Sequence, residues 1–307
     1  GEQVTAISLG GVGLPRVSFA DGVATVHRAL ELGINYLDTA PLYSRGLAQA
    51  ILGVALEGRQ EPHLLATKLG HLAQPSRFRS PDALHTQFEE NLRLLRRDSV
   101  DVLMVHEADQ HHWWSDAPSD NPLVDLETEC DVANAPVMQV LREVRAAGKC
   151  RYIGITGNNP DHLAHILRAA EMDVCLSAFN YGAIDRGIRR QLLPAAGERG
   201  VAVLLGGVFR QGRLVMIRPE WLRTPPRWPD WMTPEMQSRV GRLAALQQES
   251  GLSLTTLTLR YLVADRSIAT ILVGAATPAE IEESVAAVQA GPLVADLHQA
   301  VEALGLP

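Results

Sequence analysis

Four ionisable side chains stand at or just past the ends of three short apolar runs. Asp38 closes YLD and is followed by Tyr43, Lys68 closes LLATK, and His106 closes VDVLMVH. A cation and a carboxylate at apolar strand ends are costly apart and tolerable together, so Asp38 and Lys68 make sense as partners. Beside a tyrosine such a pair has chemical use. A phenol titrates near ~10, and a neighbouring ammonium favours the phenolate. Tyr43 is therefore expected to become acidic enough to exchange protons with a substrate oxygen at physiological pH, while His106 orients or polarises that oxygen. Taken singly each residue has an ordinary structural explanation. Their placement on one rim makes the set specific.

That rim requires parallel strands ending together. Short β-branched runs alternate with stretches of helical period along all 307 residues, the pattern of a parallel sheet with crossover helices. The strands expected are Val4–Leu9, Asn35–Asp38, His63–Lys68, Val100–His106, Tyr152–Thr156, Val174–Ser177, Val201–Leu205 and Ala269–Val273. The helices expected are Gly22–Leu32, Leu47–Leu56, Pro81–Leu95, Ala135–Ala147, Pro160–Ala170, Arg189–Arg199, Leu254–Val263 and Pro278–Ala290, one per strand. Eight such units fit a closed (β/α)8 TIM barrel, one domain over residues 1–307. An open doubly wound sheet would want GxGxxG after its first strand, whereas Gly10, Gly11 and Gly13 read as a tight turn and Leu14-Pro15 opens no helix. Two long connections follow strands four and seven. Residues 107–134 carry His111, His112, Trp113 and Trp114, and residues 208–235 carry Trp221, Trp228 and Trp231. Loops of that length at that end usually serve binding, and Trp113, Trp114 and His111 are candidate substrate contacts, the tryptophans being equally suited to anchoring the loop.

Composition narrows the partners. There are 28 Lys and Arg against 35 Asp and Glu, a net charge of −7, and no long run of one sign. Neither nucleic acid nor an anionic membrane is expected as a partner. No apolar window is long enough to cross a bilayer and the first residues lack a basic-then-apolar leader. The chain begins directly at its first strand, so a further N-terminal segment stays open, as does oligomeric state. Cys130, Cys150 and Cys175 are unevenly spaced and read as inert thiols in a reducing, cytoplasmic setting. His106, His111 and His112 lack metal-ligand spacing, and no metal is expected. Arg186, Arg189 and Arg190 read as a solvated helix start.

The segments ALELGINYLDTAPLY, ATKLG, LRRDSVDVLMVHEAD, GKCRYIGITGNN, GVAVLL and ILVGAATPAEIEESVAA, in this order, resemble the aldo-keto reductase superfamily from Val4 to about Ala290. The resemblance implies a barrel that holds an extended nicotinamide dinucleotide without a Rossmann domain. Tyr43 then matches the general acid/base, Lys68 and Asp38 the pair that tunes it, and His106 the residue that orients the substrate carbonyl. Thr156 and Asn158, with Ser177, would meet the nicotinamide amide. Gly206 replaces an aromatic residue that stacks on the ring in many relatives, and Val208 replaces a proline. Gly212 and Arg213 would line the pyrophosphate, and Glu283 and Ser284 lie where relatives contact adenine. At the turn where NADP-preferring relatives carry cationic and hydroxyl groups, this chain has Gly274, Ala275 and Glu280. A carboxylate there repels a 2′-phosphate and suits ribose hydroxyls, which favours NAD over NADP.

IGITG, VCLSAFNYGAID and the VGAATPAEIEESVAA ending are similar to a branch containing L-galactose, D-threo-aldose (L-fucose) and pyridoxal 4-dehydrogenases, which oxidise a cyclic hemiacetal to a lactone. The resemblance thus implies an NAD-linked dehydrogenase of a sugar lactol or small carbonyl compound. An NADPH-dependent reductase of aldehydes or ketosugars and a catalytically idle nucleotide-binding barrel are the alternatives.

Overall fold

The computed structural model describes residues 2–71, 74–117, 120–126, 130–217 and 233–305. Eight strands, β1 (Ile7–Gly10), β2 (Tyr36–Asp38), β3 (Leu64–Leu69), β4 (Val102–Val105), β5 (Tyr152–Gly157), β6 (Val174–Ala178), β7 (Ala202–Gly206) and β8 (Ile268–Val273), pair in parallel and close into a barrel in sequence order. Closure comes from β1 on β8, with Ile7, Ser8 and Leu9 opposite Ile271, Leu272 and Val273.

Strand alternation sorts the side chains into two cores. Tyr36, Ala66, Val102, Met104, Val174, Leu176, Leu204 and Leu272 form one buried cluster, which fills the barrel. Leu37, Leu65, Leu69, Leu103, Val105, Ile153 and Ile155 belong to the larger cluster packed under the helices. The period of two then dictates that Asp38, two residues past Tyr36, and Lys68, two past Ala66, share the interior face at its C-terminal end. His106 follows Met104 in the same way.

Helices α1 (Phe19–Glu31), α2 (Leu47–Ala55), α3 (Pro81–Leu95), α4 (Pro136–Ala146), α5 (Pro160–Ala169) and α6 (Leu192–Arg199) occupy the expected crossovers. So do α8 (Leu254–Leu262) and α9 (Pro278–Gln289). Their starts are written locally. Ser80, Asn159 and Thr277 each accept a hydrogen bond from a first-turn N–H, and each is followed by proline at the first helical position, where its missing N–H costs nothing.

Two helices break the one-per-strand pattern. Helix α7 (Pro234–Ser250) precedes α8 between β7 and β8, and α10 (Ala295–Glu302) follows α9. The reading of Gly10–Pro15 as a turn without a helix is also corrected, since Gly11–Arg16 forms a 3-10 helix. It packs so tightly on the end of β8 that a Cβ on Gly13 would lie 2.2 Å from the Gly274 carbonyl oxygen. The expected tryptophan-rich binding loop after β7 falls partly outside the described residues, among them Trp221, Trp228 and Trp231.

The basic cluster is solvated mainly at Arg190, whose side chain is 72% exposed and pairs with Asp161; Arg186 and Arg189 turn inward. Arg186 is 7% exposed and donates to the carbonyls of Gly182, Asp185 and Val301. Its guanidinium also lies 4.4 Å from the Tyr261 ring centroid. Arg189 donates to the hydroxyls of Tyr181 and Tyr261 and pairs with Glu302. These arginines fasten α10 to the barrel wall, a role set by residues more than a hundred positions away. No helix among the described residues is long and apolar enough to cross a membrane.

Candidate active site

Lys68 Nζ carries three N–H groups and finds three acceptors: Asp38 Oδ1 at 2.6 Å, the Thr39 carbonyl at 2.8 Å and the Tyr43 hydroxyl at 3.3 Å. Lys68 and Asp38 are each 1% exposed. Burial works to discharge the ammonium, but Asp38 and then Tyr43 more than offset it, so Lys68 is held above its ordinary value. The lysine is fixed from behind by side chains that carry no charge. Asn91 donates to the Lys68 carbonyl at 2.9 Å, and Gln49 donates to Asn91 and to Thr67.

Tyr43 lies in the turns leading from β2 to α2. Its hydroxyl departs from the sequence expectation of an acidified phenol: it stays above the ordinary tyrosine value, because burial outweighs the lowering by Lys68. The resting group is therefore a neutral phenol. Since its oxygen accepts from Lys68, its own proton is left to donate.

His106 sits edge-on to Tyr43, ring centroids 5.9 Å apart, and edge-on to His71 at 4.5 Å. Burial, reinforced by Lys68 and His71, pushes it well below the ordinary histidine value, so the ring is neutral. Its Nδ1 is buried without a protein partner. A neutral imidazole beside a neutral phenol makes a pair of hydrogen-bonding groups suited to one carbonyl or hydroxyl oxygen.

The loop after β4 turns inward on its aromatics. Trp113 and Trp114 are 0% and 3% exposed, and their indole N–H groups donate to the carbonyls of His106 and Ala108. Trp113 packs edge-on to Phe78 at 4.7 Å, and His112 to the same ring at 4.0 Å. Of the two roles open to these indoles, the geometry provides loop anchoring and leaves no ring face for a ligand. His111 bonds the Ala117 carbonyl through Nε2 at 3.1 Å, which ties it to its own loop.

Side chains that the motifs did not single out complete the mouth. Asp109 is buried and accepts from the backbone N–H groups of Asn158 and Asn159, both at 2.8 Å. It fits because Gly157 has no side chain; a Cβ there would stand 2.8 Å from Asp109 Oδ1. Glu107 reaches His71 Nε2 at 3.3 Å and Asn158 Nδ2 at 3.4 Å. Gln87 grips Gly70 on both its N–H and its carbonyl, fixing the chain just before His71. The signal for Glu107 and Asp109 lay in HEAD, directly after the strand.

The other sequence candidates divide by what their polar atoms touch. Thr156, Asn158, Ser177 and Gly206 stand at the C-terminal ends of β5, β6 and β7, with Gly274 just past β8. Thr156 accepts from the Glu107 N–H, and Ser177 from Asn180. Val208 is buried, so it shapes the rim from beneath; Gly212 and Arg213 lie in the turns after β7. Glu280 is half exposed in the first turn of α9, where it accepts from the Ala276 N–H at 2.7 Å and pairs with Arg16 at 3.4 Å. Glu283 accepts from Ser253 instead, and the buried Ser284 hydroxyl donates to the Glu280 carbonyl. The first of these bonds ties α9 to the start of α8, and the second stays within α9. Among the described residues no group of three or more His, Cys, Asp or Glu side chains could hold a metal ion.

A parallel barrel with a buried ammonium–carboxylate pair, a phenol and a neutral imidazole at its C-terminal mouth defines a site for proton exchange with a substrate oxygen. The comparisons supply the rest. The chain belongs to the aldo/keto reductase family, whose family model matches residues 6–305, and is an NAD(P)-dependent oxidoreductase. It is 31% identical over 299 residues to the L-galactose dehydrogenase of Arabidopsis thaliana, covering 94% of this chain and 85% of that one. It is 24% identical over 286 residues to the D-threo-aldose 1-dehydrogenase of a Pseudomonas species, covering 85% and 81%. Among solved structures, an aldo-keto reductase from Bacillus halodurans in its holo form superposes with a TM-score of 0.74 at 26% identity, covering 98% of this chain and 92% of that one.

The residues present fit a nicotinamide dinucleotide. Gly206 and Gly274 present no side chain at the ends of β7 and β8, and a Cβ on Gly274 would meet only Val12. Asp38 Oδ2 and His106 Nδ1 are buried polar atoms with no protein partner.

Proposed function

We propose that this protein is an NAD-linked dehydrogenase that oxidises the lactol carbon of an aldose to a lactone. The observation that carries the reading is the Tyr43–Lys68–Asp38 chain of contacts with His106 beside it. The named activities of the two sugar-dehydrogenase relatives support the substrate class. The nicotinamide, when bound, accepts or returns the hydride. Tyr43 exchanges the proton of the substrate hydroxyl at its Oη, Lys68 holds that phenol in place and favours its base form, Asp38 keeps the ammonium charged, and His106 donates a hydrogen bond that fixes the same oxygen. Asn158, Ser177 and Thr156 are proposed to meet the nicotinamide side of the rim, Gly212 and Arg213 the pyrophosphate, and Glu280 the adenosine ribose. Because burial keeps Tyr43 protonated at rest, oxidation should accelerate with alkalinity whereas reduction should not. The unpaired thiols support a cytoplasmic setting.

Arg16 favours a second reading of cofactor choice. It stands half exposed against Glu280, and a 2′-phosphate could draw it away from that carboxylate. The deciding experiment is to follow the reduced-nicotinamide band with a panel of aldoses and aldehydes, with NAD and with NADP. Turnover of an aldose with NAD preferred is expected, and Glu280→Arg should raise the NADP:NAD ratio of kcat/KM by about 10- to 100-fold. Wild-type preference for NADP would overturn the NAD assignment. Absence of turnover with every aldose, lactol and aldehyde would favour a nucleotide-binding barrel without catalysis.

A further inference from the structure

Glu107 has no part in the proton chemistry above, yet it is the residue after His106 and its carboxylate faces the same mouth. Its backbone has φ +52°, and its neighbour across the mouth, His71, has φ +55°. Side chains other than glycine rarely hold this left-handed conformation without cause, and such strain gathers at functional sites. Both backbones are pinned there. The Glu107 N–H donates to Thr156 Oγ1 at 3.2 Å, and Gln87 clamps Gly70 immediately before His71.

The carboxylate held in this way is under-used. It is one-third exposed, and its two protein contacts, 3.3 Å to His71 and 3.4 Å to Asn158, are long for hydrogen bonds to an acceptor with about four lone-pair sites. Among the described residues no salt bridge gives it a Lys or Arg partner. Its charge nonetheless reaches Tyr43, whose phenol it helps to hold up after burial and Asp38. A carboxylate that senses the phenol while keeping free lone pairs is placed to accept a hydrogen bond from a substrate group one carbon beyond the reacting oxygen.

We infer that Glu107, steadied by His71, receives the hydroxyl on the carbon adjacent to the reacting carbon, so that the enzyme selects 2-hydroxy aldoses over their 2-deoxy counterparts. The inference rests on the sugar-dehydrogenase reading and makes Glu107 a specificity-determining residue. A hydroxyl donating to a carboxylate forms a charge-assisted bond, and a site built around it rejects the analogue that lacks the donor.

The test is a cycle of two substrates and two enzymes, an aldose and its 2-deoxy analogue with wild type and Glu107→Gln. Wild type should prefer the aldose by about 10- to 100-fold in kcat/KM, carried mainly by KM. In Glu107→Gln the preference should shrink to within about 3-fold, because the aldose loses a bond that the 2-deoxy sugar never makes. His71→Asn should give an intermediate ratio. NADH affinity, read by fluorescence titration, and the melting temperature should match wild type. An unchanged aldose preference in Glu107→Gln, with wild type active, overturns this inference alone. A loss of kcat shared equally by both sugars, a fall in NADH affinity or a large drop in melting temperature assigns Glu107 another role and overturns it too. Wild type inactive on every sugar overturns the substrate reading and this inference with it.

Discussion

Replacing Lys68 with methionine separates what the buried pair does for folding from what it does for chemistry. The ammonium satisfies Asp38 Oδ1, the Thr39 carbonyl and the Tyr43 hydroxyl, and Asp38 Oδ2 already lacks a protein partner. Methionine of similar length leaves an unpaired carboxylate that is 1% exposed, a loss of about 3–5 kcal/mol. In a chain of 307 residues each kcal/mol moves the midpoint by about 2 °C, so the melt should fall by about 6–10 °C. The double variant Lys68→Met/Asp38→Leu removes both charges and should recover most of that loss, because an apolar pair of similar volume is often no less stable. Activity should not recover. Without the ammonium nothing opposes the upward push of burial on Tyr43, so both variants should turn over about 10²- to 10⁴-fold more slowly at neutral pH, with the alkaline limb of oxidation displaced upward. The pH dependence of stability has a defined sign. Lys68 is held above its ordinary value, so the stabilisation is complete below the unfolded lysine pKa of about 10.4 and is lost as pH rises through the folded value. The gap in melting temperature between wild type and Lys68→Met should close in strong alkali, as Lys68 discharges, and narrow in acid, where protonation of Asp38, held above its ordinary value by burial, removes the unpaired charge. Circular-dichroism melts and initial rates of NAD reduction across pH read both effects. A single variant that melts with wild type, or a double variant that regains turnover, would refute the reasoning.

Tyr43→Phe should lower kcat by about 10²- to 10⁴-fold in both directions while NADH affinity by fluorescence stays within a few-fold, and a variant that kept its rate would remove Tyr43 from proton transfer. Glu302 is held down at about 2, its hydrogen bonds from Arg189 and Tyr261 prevailing over burial. That contribution is present above the unfolded value of about 4.3 and lost as pH falls towards 2; with the side chain 40% exposed, screening reduces it to roughly 1 kcal/mol. Glu302→Gln should flatten the acid limb of the melting curve by that amount, and an identical limb would contradict the α10 clamp. Burial pushes the Cys150 thiol up to about 11 and Cys175 higher still, so neither should react with a thiol reagent at pH ~7.5 until the protein unfolds; fast native labelling of either would contradict the packing.

The barrel and the phenol–ammonium–carboxylate set were legible because both depend on local periodicity. A strand with alternating faces that ends in Asp38, Lys68 or His106 points those groups inward whatever surrounds it. Features that depend on distant partners were not legible. Arg186 looks solvated until α10 folds over it, and Trp113 looks like a binding surface until Phe78 covers it. Helix α7 hid in a polar stretch that buries Met236, Val240, Leu243 and Ala244, and α10 buries only Val301, so neither carried a strong apolar stripe. The direction of the Tyr43 shift was not legible for a related reason. Spacing reveals the nearby charge, but only packing reveals how much water the phenol has lost.

The backbone itself distinguishes the two ends of the barrel. Among the described residues, Ser44, Arg45, His71, Glu107, Phe179, Arg210 and Gln211 adopt positive φ, and all lie in loops that follow β2, β3, β4, β6 and β7 at their C-terminal ends. Arg96, the remaining non-glycine case, is the left-handed cap of α3, where such a conformation is ordinary. Strain confined to one rim needs rigid support beneath it, and the polar network supplies that support. Gln87 holds Gly70, Asp109 holds Asn158 and Asn159, and Asn91 with Gln49 holds Lys68. Loss of one such support, as in Gln87→Leu, should therefore release His71 and weaken discrimination between substrates more than it slows the proton step, because the Tyr43–Lys68–Asp38 contacts do not pass through Gly70.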